Sequence, residues 1–224
     1  MENDLNRFWR GVYSWMAVGL LLTAGAAYGV ASSAALSSWL FSSAIIFYGV
    51  MILELILVVY LSARVQKMSA AAATGTFLGY SLLNGITLSL IFLEYTASSI
   101  VSTLIAAGVT FGLTALFGTR TKKNLSGFGR FAFMALIGLI VASLVNLFLK
   151  SSGFDLMISF IGVLVFLGLT AYDSQKIQQY YYLAGRNADE ETETKVSIIG
   201  ALTLYLDFIN IFLYLLRFFG KRKD

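Results

Sequence analysis

The sequence predicts an all-α integral membrane protein, a seven-transmembrane-helix bundle formed as a single domain over residues 1–224. Three observations carry that prediction. Hydrophobic residues make up 58% of the chain and charged residues 12%, a balance that a soluble domain of this length would struggle to solvate. The apolar residues gather into seven runs, each long enough to cross a bilayer. The linkers between the runs are short and leave no room for a separate soluble domain.

Cysteine, histidine and proline are all absent. Without the first two, disulfides, thiol or Ser-His catalysis, zinc sites with nitrogen or sulfur ligands and His-ligated haem are excluded. Any chemistry falls to carboxylates, hydroxyls, amides, Arg or Lys, and no resident cofactor is expected. Without proline, a kink must come from Gly, Ser or Thr. Lys and Arg are scattered over loop ends, so the net charge of +4 is a topology signal and nucleic acid is not an expected partner.

The first span, 12–30, follows Arg7 and Arg10, with Trp9, Tyr13 and Trp15 where an aromatic belt forms. At about 20 residues it exceeds a signal-peptide h-region and is expected to be retained. Residues 31–40 read as an uncharged, Ser-rich loop. The second span, 41–64, contains Glu54 and ends at Arg64; the third, 71–93, carries Asn84 and a Gly75/Gly79 spacing that signals close helix packing. The fourth, 99–117, leads into a cationic loop, 118–130, and the fifth, 131–149, has Ser143 and Asn146 a turn apart. The sixth, 156–183, carries Asp173 and stops before Gly185, with Tyr180, Tyr181 and Tyr182 as an interfacial belt. Residues 186–195 form an acidic loop with Asp189, Glu190, Glu191 and Glu193. Those charges read either as a solvated segment suited to a helix N-terminus or as a cation-attracting mouth. The seventh span is 196–217.

With the N-terminus cytoplasmic, the inner loops collect Arg7, Arg10, Arg64, Lys67, Arg120, Lys122, Lys123, Arg130, Lys176, Arg186 and Lys195, and the outer loops only Lys150. The positive-inside rule selects that orientation. One conflict remains, because seven full spans place Arg217, Lys221, Arg222 and Lys223 outside. The rule alone would have the last segment re-enter; its length favours a full crossing.

A charge in mid-span is costly unless paired, hydrated or protonated. At 100° per residue Thr203, Asp207, Asn210 and Tyr214 share one face of the seventh helix, while Leu202, Leu206, Ile209, Leu213 and Leu216 occupy others. Asp173 and Asp207 each lie about ten residues, or about 15 Å, from the inner surface, so they can face each other. Two such carboxylates cannot both ionise cheaply; they share a proton and suit a pH sensor or a cation site. Asp173 could instead form an i,i+3 pair with Lys176. Glu54 and Arg64 have the same sequence separation as Asp207 and Arg217. Antiparallel packing would then match Arg64 with Asp207 and Glu54 with Arg217, the alternative for each Arg being snorkelling to an interface.

The stretches GLTAYDSQKI (168–177), LTLYLDFINIFLYLLRFFG (202–220) and SGFGRFAFMALIGLIVASLVN (126–146) resemble the bacterial branch of the Bax inhibitor-1, or TMBIM, family, and the similarity spans nearly the whole chain. The resemblance implies a seven-helix fold with the last helix central. It also implies a pH-sensitive calcium leak in the bacterial inner membrane, controlled by an aspartate pair that corresponds to Asp173 and Asp207. Arg64 matches a second-helix latch, and Glu54 with Arg217 a second polar contact. Calcium, as the transported ion, would meet Asp173 and Asp207 weakly and transiently; the partners are the lipid bilayer, calcium ions and protons. Three other readings stand beside it. One is a non-transporting regulator bound to a membrane protease or stress-response partner, and another a proton-coupled transporter. The third, an intramembrane aspartyl protease, is opposed by the missing GxGD context of Asp207 and the absence of proline. The expected protein is not an enzyme.

Overall fold

The computed structural model describes residues 2–185 and 189–223. Arg186, counted above with the inner cations, lies outside them. The described chain runs α1 (Glu2–Ser32), α2 (Ala34–Phe41), α3 (Ala44–Arg64), a 3-10 turn (Val65–Lys67), α4 (Ala70–Glu94), α5 (Ala97–Arg120), α6 (Ser126–Leu149), α7 (Ser152–Tyr180), a π turn (Tyr181–Gly185) and α8 (Glu190–Phe219). Among the described residues seven helices, all except α2, are long and apolar enough to cross a membrane. The all-α membrane bundle read from the sequence is the fold observed. The last helix is also the most enclosed span: 67% of its apolar window is buried, against 6% for α3. Its apolar faces are covered as well as its polar stripe, with Leu202, Leu204, Ile209, Ile211 and Leu216 all buried.

Two sequence expectations need correction. Much of 31–40 is helical: Ser33 caps α2 by accepting from the Leu36 N–H at 3.3 Å, and the Ser37 hydroxyl donates to the Val30 carbonyl at 2.6 Å. Serine reads as a loop former, but here its hydroxyls bond back to the local backbone and hold the helix. The acidic segment is likewise not all loop. Glu190, Glu191 and Glu193 form the first turn of α8, where their charge opposes the positive end of the helix dipole, and the Asp189 carboxylate accepts from the Thr192 N–H at 3.0 Å.

The chain divides into two compact units, one comprising Met1–Glu94, Tyr180–Leu202 and Lys223, the other Tyr95–Gln179 and Thr203–Arg222. In the first unit α1 and α4 pack closely because Gly19 accepts the Phe77 ring and Gly85 lies against the Thr23 carbonyl, where a Cβ would collide. The Thr23 hydroxyl is shared between the Gly19 and Ser81 carbonyls, at 2.9 Å each. Early α8 joins this unit: Glu191 accepts from the Ala70 N–H at 3.4 Å, and Arg7 pairs with Glu193 at 3.9 Å. Lys223 belongs to it too, donating from its backbone N–H to the Glu94 carbonyl (2.8 Å) and from Nζ to the Phe92 carbonyl (2.7 Å). The start of α8 thus lies beside the start of α4, and the residue after its tail beside the end of α4. At about 1.5 Å per residue this 30-residue helix is long enough to run beside α4 from end to end. Its basic tail is accommodated because Lys223 caps the orphan carbonyls of α4, the negative end of that helix.

The second unit contains α5, α6, most of α7 and the remainder of α8. Glycines again set the close approaches. A Cβ at Gly118 would strike the Ala171 carbonyl, one at Gly129 the Tyr172 ring, and one at Gly162 the Tyr214 ring. Phe111 and Phe208 meet edge to face at 5.6 Å. The tail of this unit docks on the start of α5, with Thr96 N–H to the Lys221 carbonyl at 3.0 Å and Lys221 N–H to Ser99 Oγ at 2.8 Å.

Candidate functional site

The second unit gathers its polar chemistry where α7 meets the middle of α8. Thr170, Asp173 and Ser174 follow at helical spacing on α7 and so share a face. Gly118 and Gly129 allow α5 and α6 to close on Ala171 and Tyr172, immediately before Asp173. Two residues beyond it, Gln175 pins the α5–α6 loop: its Oε1 accepts from the Leu125 N–H and its Nε2 donates to the Lys123 carbonyl, each at 2.9 Å. The backbone around Asp173 is therefore held from both sides.

Asp207 is 4% exposed, and its Oδ2 has no hydrogen-bond partner among the described residues. The Ser174 hydroxyl is buried in the same condition. The Asp173 carboxylate is the charged neighbour of Asp207, and the Thr170 hydroxyl, which donates to the Phe166 carbonyl at 2.7 Å, is its polar one. Asp173 is half-buried and has a second electrostatic neighbour in Lys176, whose ammonium lies 5.6 Å from the Tyr172 ring centre. Asp173 therefore interacts with both groups that the sequence offered as alternatives. Elsewhere on the stripe Thr203 is half-buried, and Asn210 turns back to donate to the Leu206 carbonyl at 2.8 Å.

A family model described as "Inhibitor of apoptosis-promoting Bax1" matches residues 5–224, which takes in both aspartate-bearing helices. The chain belongs to the Bax inhibitor-1 family. It is 50% identical over 226 residues to the inner membrane protein YbhL of Escherichia coli (strain K12), covering 98% of this chain and 93% of that relative. Uncharacterized proteins of Deinococcus radiodurans and Borreliella burgdorferi are 43% and 41% identical, covering 99% and 98% of this chain and 93% and 94% of theirs. The family match extends over all seven candidate spans; what the site does has to come from its residues.

Two of the remaining residues singled out in the sequence have partners of their own. Glu54 of α3 accepts from Asn84 Nδ2 and, at 2.8 Å, from the Thr87 hydroxyl, both on α4. Arg217 of α8 pairs with Asp155 of α7 at 3.6 Å and lies 5.7 Å from the Tyr214 ring centre. Each of the two residues expected to pair, Glu54 and Arg217, thus has a partner set within its own unit. Counting residues along a helix fixes a side chain's depth, but not its direction around the axis. Arg64 ends α3 and is exposed. Thr170 and Ser174 were missed, although their i,i+4 spacing around Asp173 is the signal that marks them. Among the described residues no three acidic side chains converge. The site offers a hard cation two carboxylates and nearby hydroxyls, too few oxygens for tight retention.

Proposed function

We propose that this protein is a pH-sensitive, calcium-permeable leak of the bacterial inner membrane, with its N-terminus cytoplasmic and with Asp173 and Asp207 controlling passage. The observation that carries this reading is a buried carboxylate in the most enclosed span, with one oxygen unpartnered and a second carboxylate as its neighbour. Burying such a group unsatisfied is costly, and a proton or a transient cation is the partner its chemistry calls for. The ionised pair attracts calcium and a balancing cation; a proton on the pair weakens both attractions. The two protonation states therefore favour different conformations, and pH sets their populations. Arg64 is the proposed latch, a cation that steadies the closed state while the pair is ionised. Family membership and the inner-membrane name of the Escherichia coli relative support the assignment.

The test is calcium flux into liposomes as a function of pH. Wild type is expected to leak in a pH-dependent way, with Asp173→Asn and Asp207→Asn each losing that dependence. Unchanged flux and pH response in both variants would overturn the mechanism. A wild-type protein that passes no calcium and co-purifies with a membrane partner would move the reading to a non-transporting regulator.

A further inference from the structure

In the second unit, where α6 and α8 finish, a cavity of about 460 Å³ opens away from the aspartate pair. Its polar lining comes from Ser143 and Asn146 of α6, Asp155 of α7, Tyr214 and Arg217 of α8, and Arg222 of the tail. The charged groups that line it are two guanidinium groups and one carboxylate. Arg217 meets Asp155 at 3.6 Å, an ion pair longer than a hydrogen bond, which leaves guanidinium N–H groups for a further acceptor. Each guanidinium lies against an aromatic ring, Arg217 at 5.7 Å from Tyr214 and Arg222 at 5.8 Å from Tyr95, contacts that orient a planar donor fork. Asn146 Oδ1 accepts from the Ser151 N–H at 3.2 Å, so the NH2 end of its amide remains available to an acceptor.

The rest of the wall is apolar and open. Ile140, Leu144 and Leu147 lie on successive turns of α6 and are 53%, 54% and 68% exposed. Together they make a strip about 10 Å long running from the cationic end toward the middle of the span. A free inorganic anion has no use for that strip, whereas an amphiphile matches both parts. We propose that this cavity binds an anionic phospholipid, its phosphate held by Arg217 and Arg222 and an acyl chain lying along Ile140, Leu144 and Leu147. Paired guanidinium groups suit phosphate oxygens because they donate two parallel hydrogen bonds with charge assistance. The proposal stands independently of the calcium-leak reading.

Native mass spectrometry of the full chain in detergent tests it, with phosphatidylglycerol, phosphatidylcholine and inorganic phosphate as separate probes. One phosphatidylglycerol is expected to be retained in preference to phosphatidylcholine. Arg222→Gln should weaken that retention by about tenfold, the loss of a charge-assisted hydrogen bond. Leu144→Trp keeps every charge and alters an exposed position, so it tests the chain-binding strip without disturbing the ion pair; it too should weaken phosphatidylglycerol. Equal retention of the two lipids, or unchanged retention in both variants, overturns the proposal. Inorganic phosphate competing as well as phosphatidylglycerol, with no effect of Leu144→Trp, would also overturn it in favour of a free-anion site.

Discussion

Glu54 and Asp207 are both carboxylates in the middle of apolar helices, yet their surroundings are opposite to what burial alone suggests. Glu54 is on α3, the least enclosed span, and both of its oxygens are engaged, by Asn84 and Thr87. Asp207 is on α8, the most enclosed span, and keeps an oxygen with no partner among the described residues. The contrast follows from what each helix faces. A polar group beside lipid finds no water and must be satisfied by its own protein. One enclosed by protein can persist unsatisfied only where the protein closes around it and a mobile partner can arrive. Glu54 therefore reads as a structural carboxylate that ties α3 to α4, and Asp207 as a working one.

The strongest way to break that contrast is to neutralise each carboxylate with its isosteric amide. Asp207→Asn should abolish the pH response of calcium flux, while Glu54→Gln, whose amide oxygen still accepts from Asn84 and whose NH2 can donate to the Thr87 hydroxyl, should preserve it. Equal responses in the two variants would erase the distinction. Next in size are the glycines that support each region. Gly118→Ala and Gly85→Ala each drive a methyl into backbone, against Ala171 and Thr23, and should cost about 1–3 kcal/mol of stability in detergent. They should differ in function: Gly118→Ala displaces the turn leading to Asp173 and should shift the flux profile along pH, whereas Gly85→Ala should leave the profile in place.

Much of this was legible in the chain. Apolar runs located every span, because a helix crossing lipid must be apolar over its whole lipid-facing length. The residues flanking those runs were harder to read, since capping serines and the acidic start of α8 continue the helices with polar side chains. Counting residues from a short connection brought Asp173 and Asp207 together, although α8 starts at Glu190, ahead of its apolar run, so the two are not equally far from that turn. The same counting applied to the α3–α4 turn pairs Glu54 with Asn84, the contact observed. It was overlooked in favour of Arg217 because a charged partner was sought and an amide served. Gly118, Gly129 and Gln175 were not legible, as their roles depend on which helices meet at Tyr172 and Asp173.

A smaller effect separates the two carboxylates by stability. Glu54→Leu removes the acceptor for the Asn84 amide and should cost about 1–2 kcal/mol, while Thr87 retains its bond to the Asn84 carbonyl. Asp207→Leu removes a buried group with an unpartnered oxygen and should be neutral or stabilising in thermal unfolding, even as it eliminates the pH response. A loss of stability at Asp207 exceeding that at Glu54 would show that Asp207 is structurally bound after all.

The smallest expected effect concerns a third carboxylate at the start of the same helix. The Thr192 side chain first, and its backbone N–H second, hold the Asp189 carboxyl below the usual carboxylate range. Its folded value is thus depressed relative to the unfolded chain, so the unfolded state binds more protons at acid pH. The contribution to stability is fully present above about pH 4, the ordinary Asp value, and is lost as pH falls through the depressed one. Hydrogen exchange over residues 190–195 should show this as acid-side fraying of the first turn of α8. Asp189→Asn keeps a cap acceptor but cannot titrate, and should remove that pH dependence while leaving the flux profile unmoved. A flux profile that moves with Asp189→Asn would place the pH sensor at the N-terminus of α8, and the unpartnered oxygen of Asp207 would then need another explanation.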